Sequence, residues 1–158
     1  MTKVLRHATI AALCAVALLH ATAARADEAA VRAAADRFYA ALNVMFTGDA
    51  RPMLEVWSHA DDVTYMGPGG GLHVGWSQIQ PIWTATADMK LGGSVEPTEM
   101  RVNAGSDIAV TSNFEVGHNI VNGQPQTVTI RATNIFRREN GQWKMIGHHT
   151  DLLTFLAK

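Results

Sequence analysis

Cysteine is almost missing from this sequence, since Cys14 is the only one among 158 residues. It lies in an apolar run near the N-terminus, so the remainder of the chain has no thiol for a disulfide, a nucleophile or a cysteine-based metal site. Charged residues are also sparse, at 17%, and nearly balanced, with a formal net charge of −1. No cluster of Lys and Arg is present, so we do not expect nucleic acid as a partner.

The N-terminus has the pattern of a secretory signal peptide. Lys3 and Arg6 precede an apolar run from Ala8 to Leu19, and Ala24-Arg25-Ala26 fits the small-x-small rule for cleavage. A membrane anchor is the alternative, but this run is too short to cross ~30 Å of hydrocarbon. We therefore predict cleavage after Ala26, a periplasmic or secreted location, and no membrane association after cleavage.

Cleavage would leave one domain over residues 27–158. Because Lys3, Arg6 and Arg25 would be removed, the Lys+Arg count would fall from 13 to 10 against 14 Asp+Glu, and the net charge from −1 to −4. A chain of this size buries about two-thirds of the surface that it exposes when unfolded, which is enough for one hydrophobic core.

Helical and strand-like segments are separated along this domain. Apolar side chains recur with helical spacing from Val31 to Phe46, and two further helices are predicted, one after Asp49 and one from about Ser77 to Lys90. Four long strand-like runs follow, at about 94–103, 107–120, 125–138 and 142–154. Short turns containing Asn and Gly separate them, so neighbouring strands should be antiparallel. This order predicts an α+β fold, with three N-terminal helices packed on a strongly curved, mostly antiparallel sheet.

Several local strings resemble nuclear transport factor 2-like proteins. The similar segments are residues 36–43 with Gly48-Asp49 for their first helix and turn, 61–65 for their first strand, and 75–79 for the entry to their third helix. Residues 143–151 (Trp-Lys-Met-Ile-Gly-His-His-Thr-Asp) resemble the closing strand of SnoaL-like domains and of calcium/calmodulin-dependent kinase association (hub) domains. The resemblance covers nearly all of residues 27–154.

The resemblance implies a cone-shaped barrel whose sheet wraps around the first helix. It also implies a pocket at the wide end and a homodimer formed through the outer face of the sheet. The superfamily contains isomerases, cyclases, dehydratases and modules without catalysis, so it implies no single reaction. Catalysis, if present, would be acid–base chemistry without a cofactor.

The usual ketosteroid isomerase mechanism is not expected, because two of its residues do not match. Aligned through Pro68, the position of the general-base carboxylate is Gly67, which cannot abstract a proton. The oxyanion-donating tyrosine aligns with Phe38, and Tyr39 is rotated from that position by about 100° around the helix. Asn134 aligns with an acid that hydrogen-bonds the oxyanion, so its amide is expected to donate to a ligand oxygen. A buried asparagine satisfied by its neighbours is the alternative.

Strand alternation divides the side chains between two faces of the sheet. On the run 107–120 we assign the mostly apolar set, which ends at His118, to the inside, and this leaves Glu115 outside. On the run 125–138 the inward set contains Asn134, and matching to the resembling closing strands places His148 inward. A mostly apolar face with a few polar groups is typical of a small-molecule pocket. The predicted ligand-binding residues are Phe38, Trp83, Ser112, Phe114, Ile146 and Thr150.

His118 and His148 are the predicted proton-transfer pair, because an unperturbed imidazole has a pKa of about 6.5. Tyr65 and Asn134 would orient the oxygen of a small, largely apolar molecule. His148 and His149 point to opposite faces of one strand and cannot share an ion, so neither a metal nor a cofactor is predicted. The alternatives are a non-catalytic module for ligand binding or homo-oligomeric assembly, and a structural dimer whose own side chains fill the cavity.

Overall fold

Three helices and six strands follow one another in the computed structural model, which describes residues 27–157. The predicted signal peptide at residues 1–26 lies outside the described residues. The helices are α1 over residues 27–45, α2 over Arg51–Val56 and α3 over Trp76–Asp88. The strands are β1 (Thr64–Met66), β2 (His73–Val74), β3 (Ser94–Ala104), β4 (Ile108–Val121), β5 (Gln124–Glu139) and β6 (Gln142–Thr150).

The strands form one sheet in the order β2-β1-β6-β5-β4-β3. Every neighbouring pair is antiparallel except β1 and β6, which run parallel. The tight turns at Asn122-Gly123 and Asn140-Gly141 have positive φ at both residues, as a two-residue hairpin requires. The predicted α+β fold is confirmed. Across residues 27–157, however, the sheet does not close into a barrel, because β2 and β3 lie at its two edges.

Helix α1 packs along the inner face of the sheet. Its apolar stripe, including Val31, Ala35, Phe38 and Met45, is fully buried. The Asn43 amide ties the helix to the start of β3, donating to the Val95 carbonyl oxygen (3.1 Å) and accepting from the Val95 N–H (2.8 Å). The helix therefore forms the centre of the core around which the long strands fold.

Two β-bulges interrupt the regular pairing. In β3 the register shifts between Thr98 and Arg101, and Glu99 has a φ of +55°. In β6 the register shifts because Ile135 pairs with Gly147 and Phe136 with Met145, which leaves Ile146 as the extra residue. The second bulge reverses the alternation of β6, so Met145 and His148 both face the core.

The chain after β6 turns back over the loop between β1 and β2. The predicted fourth run ends at Thr150 rather than at residue 154, and the Leu153 N–H donates to the Pro68 carbonyl oxygen at 3.0 Å. Among residues 27–157, no helix combines the length and the apolar character needed to cross a membrane.

Candidate functional site

A cavity of about 530 Å³ lies between α1, α3 and the inner face of the sheet. Most of its lining is apolar, with Leu42, Met45, Phe46, Ile82, Trp83, Leu91, Val95, Val128, Ile130 and Leu153 among the lining residues. The glycine-rich loop from Pro68 to Gly71 and the C-terminal Leu156 complete one side. No Lys or Arg is among the described lining residues, so an anionic ligand would find no cationic side chain in the wall.

Glu115 and His148 form the polar centre of this cavity. Both line it, although only 4% of Glu115 and 3% of His148 is exposed. Glu115 Oε1 lies 3.8 Å from His148 Nε2. That distance is too long for a direct hydrogen bond, but it allows one ligand atom or one water to contact both groups.

A buried hydrogen-bond network connects Glu115 and His148 on the side away from the cavity. The Tyr39 hydroxyl donates to Glu115 Oε1 (3.2 Å), and it accepts from the side-chain amides of Asn113 (2.8 Å) and Asn134 (3.3 Å). Asn134 Oδ1 lies 2.7 Å from His148 Nδ1. The side chains of Glu115 and His148 are therefore fixed in position by α1, β4 and β5 together.

Burial shifts the proton affinities of this pair in opposite directions. It raises the pKa of Glu115 to about 7, although the hydrogen bond from Tyr39 acts against this. It lowers the pKa of His148 to about 3, with a smaller contribution from the neighbouring His149. The separation alone would permit an ion pair, but desolvation disfavours the imidazolium so strongly that we assign His148 as neutral at pH 7. Both the protonated and the ionised form of Glu115 are therefore accessible near neutral pH.

Aromatic rings enclose the imidazole of His148. Its ring centroid lies 4.9 Å from that of Phe38, 5.9 Å from Tyr65 in a nearly parallel stack, and 6.4 Å from Trp83. The Tyr65 hydroxyl makes no hydrogen bond within residues 27–157. Its pKa is raised mainly by burial and, to a smaller extent, by the negative charge of Glu115. Tyr65 therefore offers a protonated hydroxyl to the cavity that it lines.

The structure brings some of the residues predicted from the sequence together and separates others. His148, Tyr65 and Trp83 line the cavity, and Phe38 packs against His148 without reaching the lining. Asn134 is fully buried behind His148 rather than facing the cavity, and its amide is satisfied by neighbouring side chains. That placement agrees with the alternative interpretation of Asn134, a buried asparagine satisfied by its neighbours.

The predicted inward face of β4 is wrong. Asn134 pairs with Thr111, so Thr111, Asn113 and Glu115 face the cavity side of the sheet. His118, Ser112 and Phe114 lie on the outer face and are exposed. His118 and His148 therefore cannot form a pair in one cavity. The apolar pattern is misleading because the buried face is the more polar one. Tyr39 from α1 satisfies Asn113 and Glu115 there, and Asn134 from β5 donates to Thr111.

The predicted lining positions on β6 are also corrected. Ile146 is the extra residue of the bulge and is only half-buried. Thr150 pairs with the inward Ala132, but it lies beyond the cavity lining. Neither residue therefore lines the site.

Four contributors were missed from the sequence: Glu115, Tyr39, Asn113 and Thr111. The one local signal was the position of Tyr39, which falls within the buried stripe of the first helix and whose hydroxyl needs a partner there. Within residues 27–157, no group of three or more His, Cys, Asp or Glu side chains is arranged to hold a metal ion.

A family model described as the SnoaL-like domain matches residues 31–152. This chain belongs to the SnoaL-like family. No curated protein matches it.

The cone-shaped fold of NTF2-like proteins recurs in several solved structures. A proposed dehydratase of the NTF2-like family from Streptomyces avermitilis is 21% identical, with a TM-score of 0.73, and the match covers 83% of this chain and 99% of that one. A proposed calcium/calmodulin-dependent protein kinase type II association domain from Thiobacillus denitrificans is 25% identical over 78% and 94%, with a TM-score of 0.62. A proposed ketosteroid isomerase from Shewanella frigidimarina is 17% identical over 75% and 91%, with a TM-score of 0.61.

Proposed function

We propose that this SnoaL-like domain binds a small, uncharged, largely apolar molecule with a carbonyl or hydroxyl oxygen and performs acid–base chemistry on it without a cofactor. The observation that carries the proposal is the facing pair of Glu115 and His148, 3.8 Å apart in the wall of a mostly apolar cavity. The volume of about 530 Å³ also argues against a core filled by its own side chains.

The proton states of the pair suit it to proton transfer. His148 is neutral at pH 7 and can accept a proton, while Glu115, with a pKa of about 7, can donate one. In such a step Glu115 gives its proton to one atom of the ligand while His148 takes a proton from another, and the carboxylate that forms 3.8 Å away stabilises the imidazolium. Tyr65 donates a hydrogen bond to the ligand oxygen. Isomerisation, dehydration and cyclisation are reactions that a base, an acid and a hydrogen-bond donor in this arrangement can promote.

Ligand binding is the first property to test. We expect uncharged cyclic ketones and alcohols to raise the melting temperature of the domain, and matched carboxylates of the same size to have no effect. Native mass spectrometry of protein purified from cells should retain the added mass of such a ligand. A preference for the carboxylates would contradict the proposal, because no cation lines the described cavity.

Catalysis is tested by variants of the pair once a turned-over ligand is found. Glu115→Gln and His148→Phe should each lower kcat by about 10²- to 10⁴-fold, the usual contribution of a general acid or base. His118→Ala is the matched control, since it removes a histidine from the outer face of the neighbouring β4. Equal activity in all three variants would exclude acid–base catalysis by Glu115 and His148.

A periplasmic or secreted location is part of the proposal. Residues 1–26 support it through their charged start, apolar run and cleavage motif. The intact mass of protein from the periplasm should correspond to residues 27–158. A full-length mass in the membrane fraction would favour an anchor instead.

A non-catalytic homo-oligomeric module is the second candidate function. Exposed apolar side chains on the outer face of β4 favour it, namely Ile108, Phe114, Val116 and Ile120. A stable dimer that binds no member of the ligand panel would support this candidate over the first.

A further inference from the structure

The hydrogen-bond directions in the buried network can be read from one backbone group. Asn113 Nδ2 lies 3.0 Å from the Phe114 carbonyl oxygen, which only accepts, so that nitrogen must be the donor. The oxygen of the same amide, Asn113 Oδ1, then faces Asn134 Nδ2 at 3.4 Å. Reversing the Asn134 amide would bring two amide oxygens together, so its orientation is fixed.

The orientation of Asn134 determines which nitrogen of His148 carries the proton. Asn134 Nδ2 donates to Thr111 Oγ1 (3.1 Å), and its Oδ1 lies 2.7 Å from His148 Nδ1. An amide oxygen cannot donate, so the hydrogen of this contact is on Nδ1. In a neutral imidazole the other nitrogen, Nε2, is then a lone-pair acceptor.

We propose that Asn134 is a positioning residue that holds His148 in the Nδ1–H tautomer, with the Nε2 lone pair facing Glu115 and the cavity. This inference rests on the proposed function, since it explains why His148 acts as an acceptor. It assigns Asn134 a different task from donation to a ligand oxygen.

Nitrogen NMR of the ring tests the tautomer directly and needs no ligand. In the domain labelled with ¹⁵N-histidine, we expect His148 Nδ1 to show the shift of a protonated ring nitrogen and Nε2 that of an unprotonated one. His148→Gln identifies the resonances. Protonation of Nε2 instead would overturn the proposal whatever ligand the protein binds.

Asn134→Leu removes the acceptor while keeping nearly the same shape. We expect His148 to lose the Nδ1–H form and to populate Nε2–H, the tautomer that free histidine favours. Asn119→Leu is the matched control, because Asn119 is equally buried on β4 and lines the cavity but donates to Gly92. Retention of Nδ1–H in Asn134→Leu, or its loss in Asn119→Leu as well, would contradict a specific role for Asn134.

Asn134→Asp provides a second test if the leucine variant does not fold. A carboxylate opposite Nδ1–H keeps the tautomer and should raise the pKa of His148 by about one unit or more. The titratable groups around the ring are Glu115 on β4, Tyr65 on β1, Tyr39 on α1 through Asn134, and the adjacent His149. An unchanged titration of His148 in this variant would show that residue 134 does not control the ring. Because each readout is spectroscopic, the tautomer can be established even if no ligand is found, and refuted even if one is.

Discussion

Glu115 is a carboxyl group that folding removes from water without giving it a cation. Its acceptor oxygen is held by the Tyr39 hydroxyl, and its nearest basic neighbour is an imidazole that burial keeps neutral. A carboxyl group buried in this way favours its protonated form. Its raised pKa therefore affects the free energy of unfolding of the domain as well as proton transfer to a ligand.

Glu115→Gln is expected to change how stability depends on pH. The pKa of Glu115 rises from its ordinary 4.5 to about 7 on folding, so wild-type stability falls as pH increases from about 4.5 to about 7. Glutamine does not titrate, so the free energy of unfolding of the variant should improve relative to wild type by up to about 3 kcal/mol across that interval. Urea denaturation at pH 4.5 and pH 8 measures the difference.

His148 has the opposite sign and serves as the comparison. Its pKa falls from 6.5 to about 3, so its contribution makes the protein less stable as pH drops from about 6.5 to about 3. His148→Gln should therefore flatten the acid side of the curve, while Glu115→Gln flattens the neutral side. Identical curves for both variants and wild type would mean that neither group is shifted.

Gly67 is required by the side chain of Tyr65. A Cβ atom at residue 67 would lie 1.9 Å from the Tyr65 hydroxyl oxygen and 2.0 Å from its ring carbon Cζ. Gly67→Ala should displace the buried ring and cost about 1–3 kcal/mol, as overpacking does. Urea denaturation with Gly69→Ala as the control checks this, since a Cβ there meets only the Leu156 carbonyl oxygen at 3.5 Å. An equal loss in both variants would assign the effect to the loop rather than to Tyr65.

Secondary-structure elements were more predictable from the sequence than the faces of the strands. The Asn-Gly turns and the alternation of long runs predict the bounds of β3, β4 and β5 to within one or two residues, because both signals are local. The inward face of β4 depends on contacts distant in sequence, such as that from Tyr39 to Glu115. The β6 bulge likewise follows from pairing with β5, so no local pattern indicates that Ile146 is the extra residue.

Gly93 marks the end of the sheet where β3 pairs with β4. A Cβ at this residue would lie 2.1 Å from the His118 carbonyl oxygen, a backbone atom that cannot move without opening the pair. Gly123, at the β4–β5 turn, has a similar φ (+76° against +70°) but no atom within 4 Å. Both alanine variants share the strain of a positive φ, about 1–2 kcal/mol. Thermal unfolding should show an additional loss of roughly 2 kcal/mol for Gly93→Ala alone, and equal losses would contradict the close approach.

At the scale of the whole molecule, the outer sheet face carries the exposed apolar side chains on which the proposed dimer depends. Phe114 lies midway along β4 and is 40% exposed. If the proposed dimer forms there, Phe114→Lys should weaken it by about 10- to 100-fold, the effect of removing an apolar anchor. Sedimentation equilibrium measures this. Leu72→Lys is the control, because Leu72 is exposed in the loop before β2; a wild-type monomer at micromolar concentration would refute the dimer.

An open sheet also leaves one side of each edge strand without a partner among residues 27–157. The irregularities of β3 affect whether this side can pair with another molecule at high protein concentration. Pro97 lacks an N–H, the bulge at Glu99 breaks the row of donors and acceptors, and Glu96, Glu99 and Arg101 place exposed charges along the edge. A strand from another molecule would therefore find no continuous ladder to extend. At the other edge, β2 is only two residues long. The open sheet thus leaves room for the cavity, while neither edge strand offers a continuous row of backbone groups from which a fibre could grow.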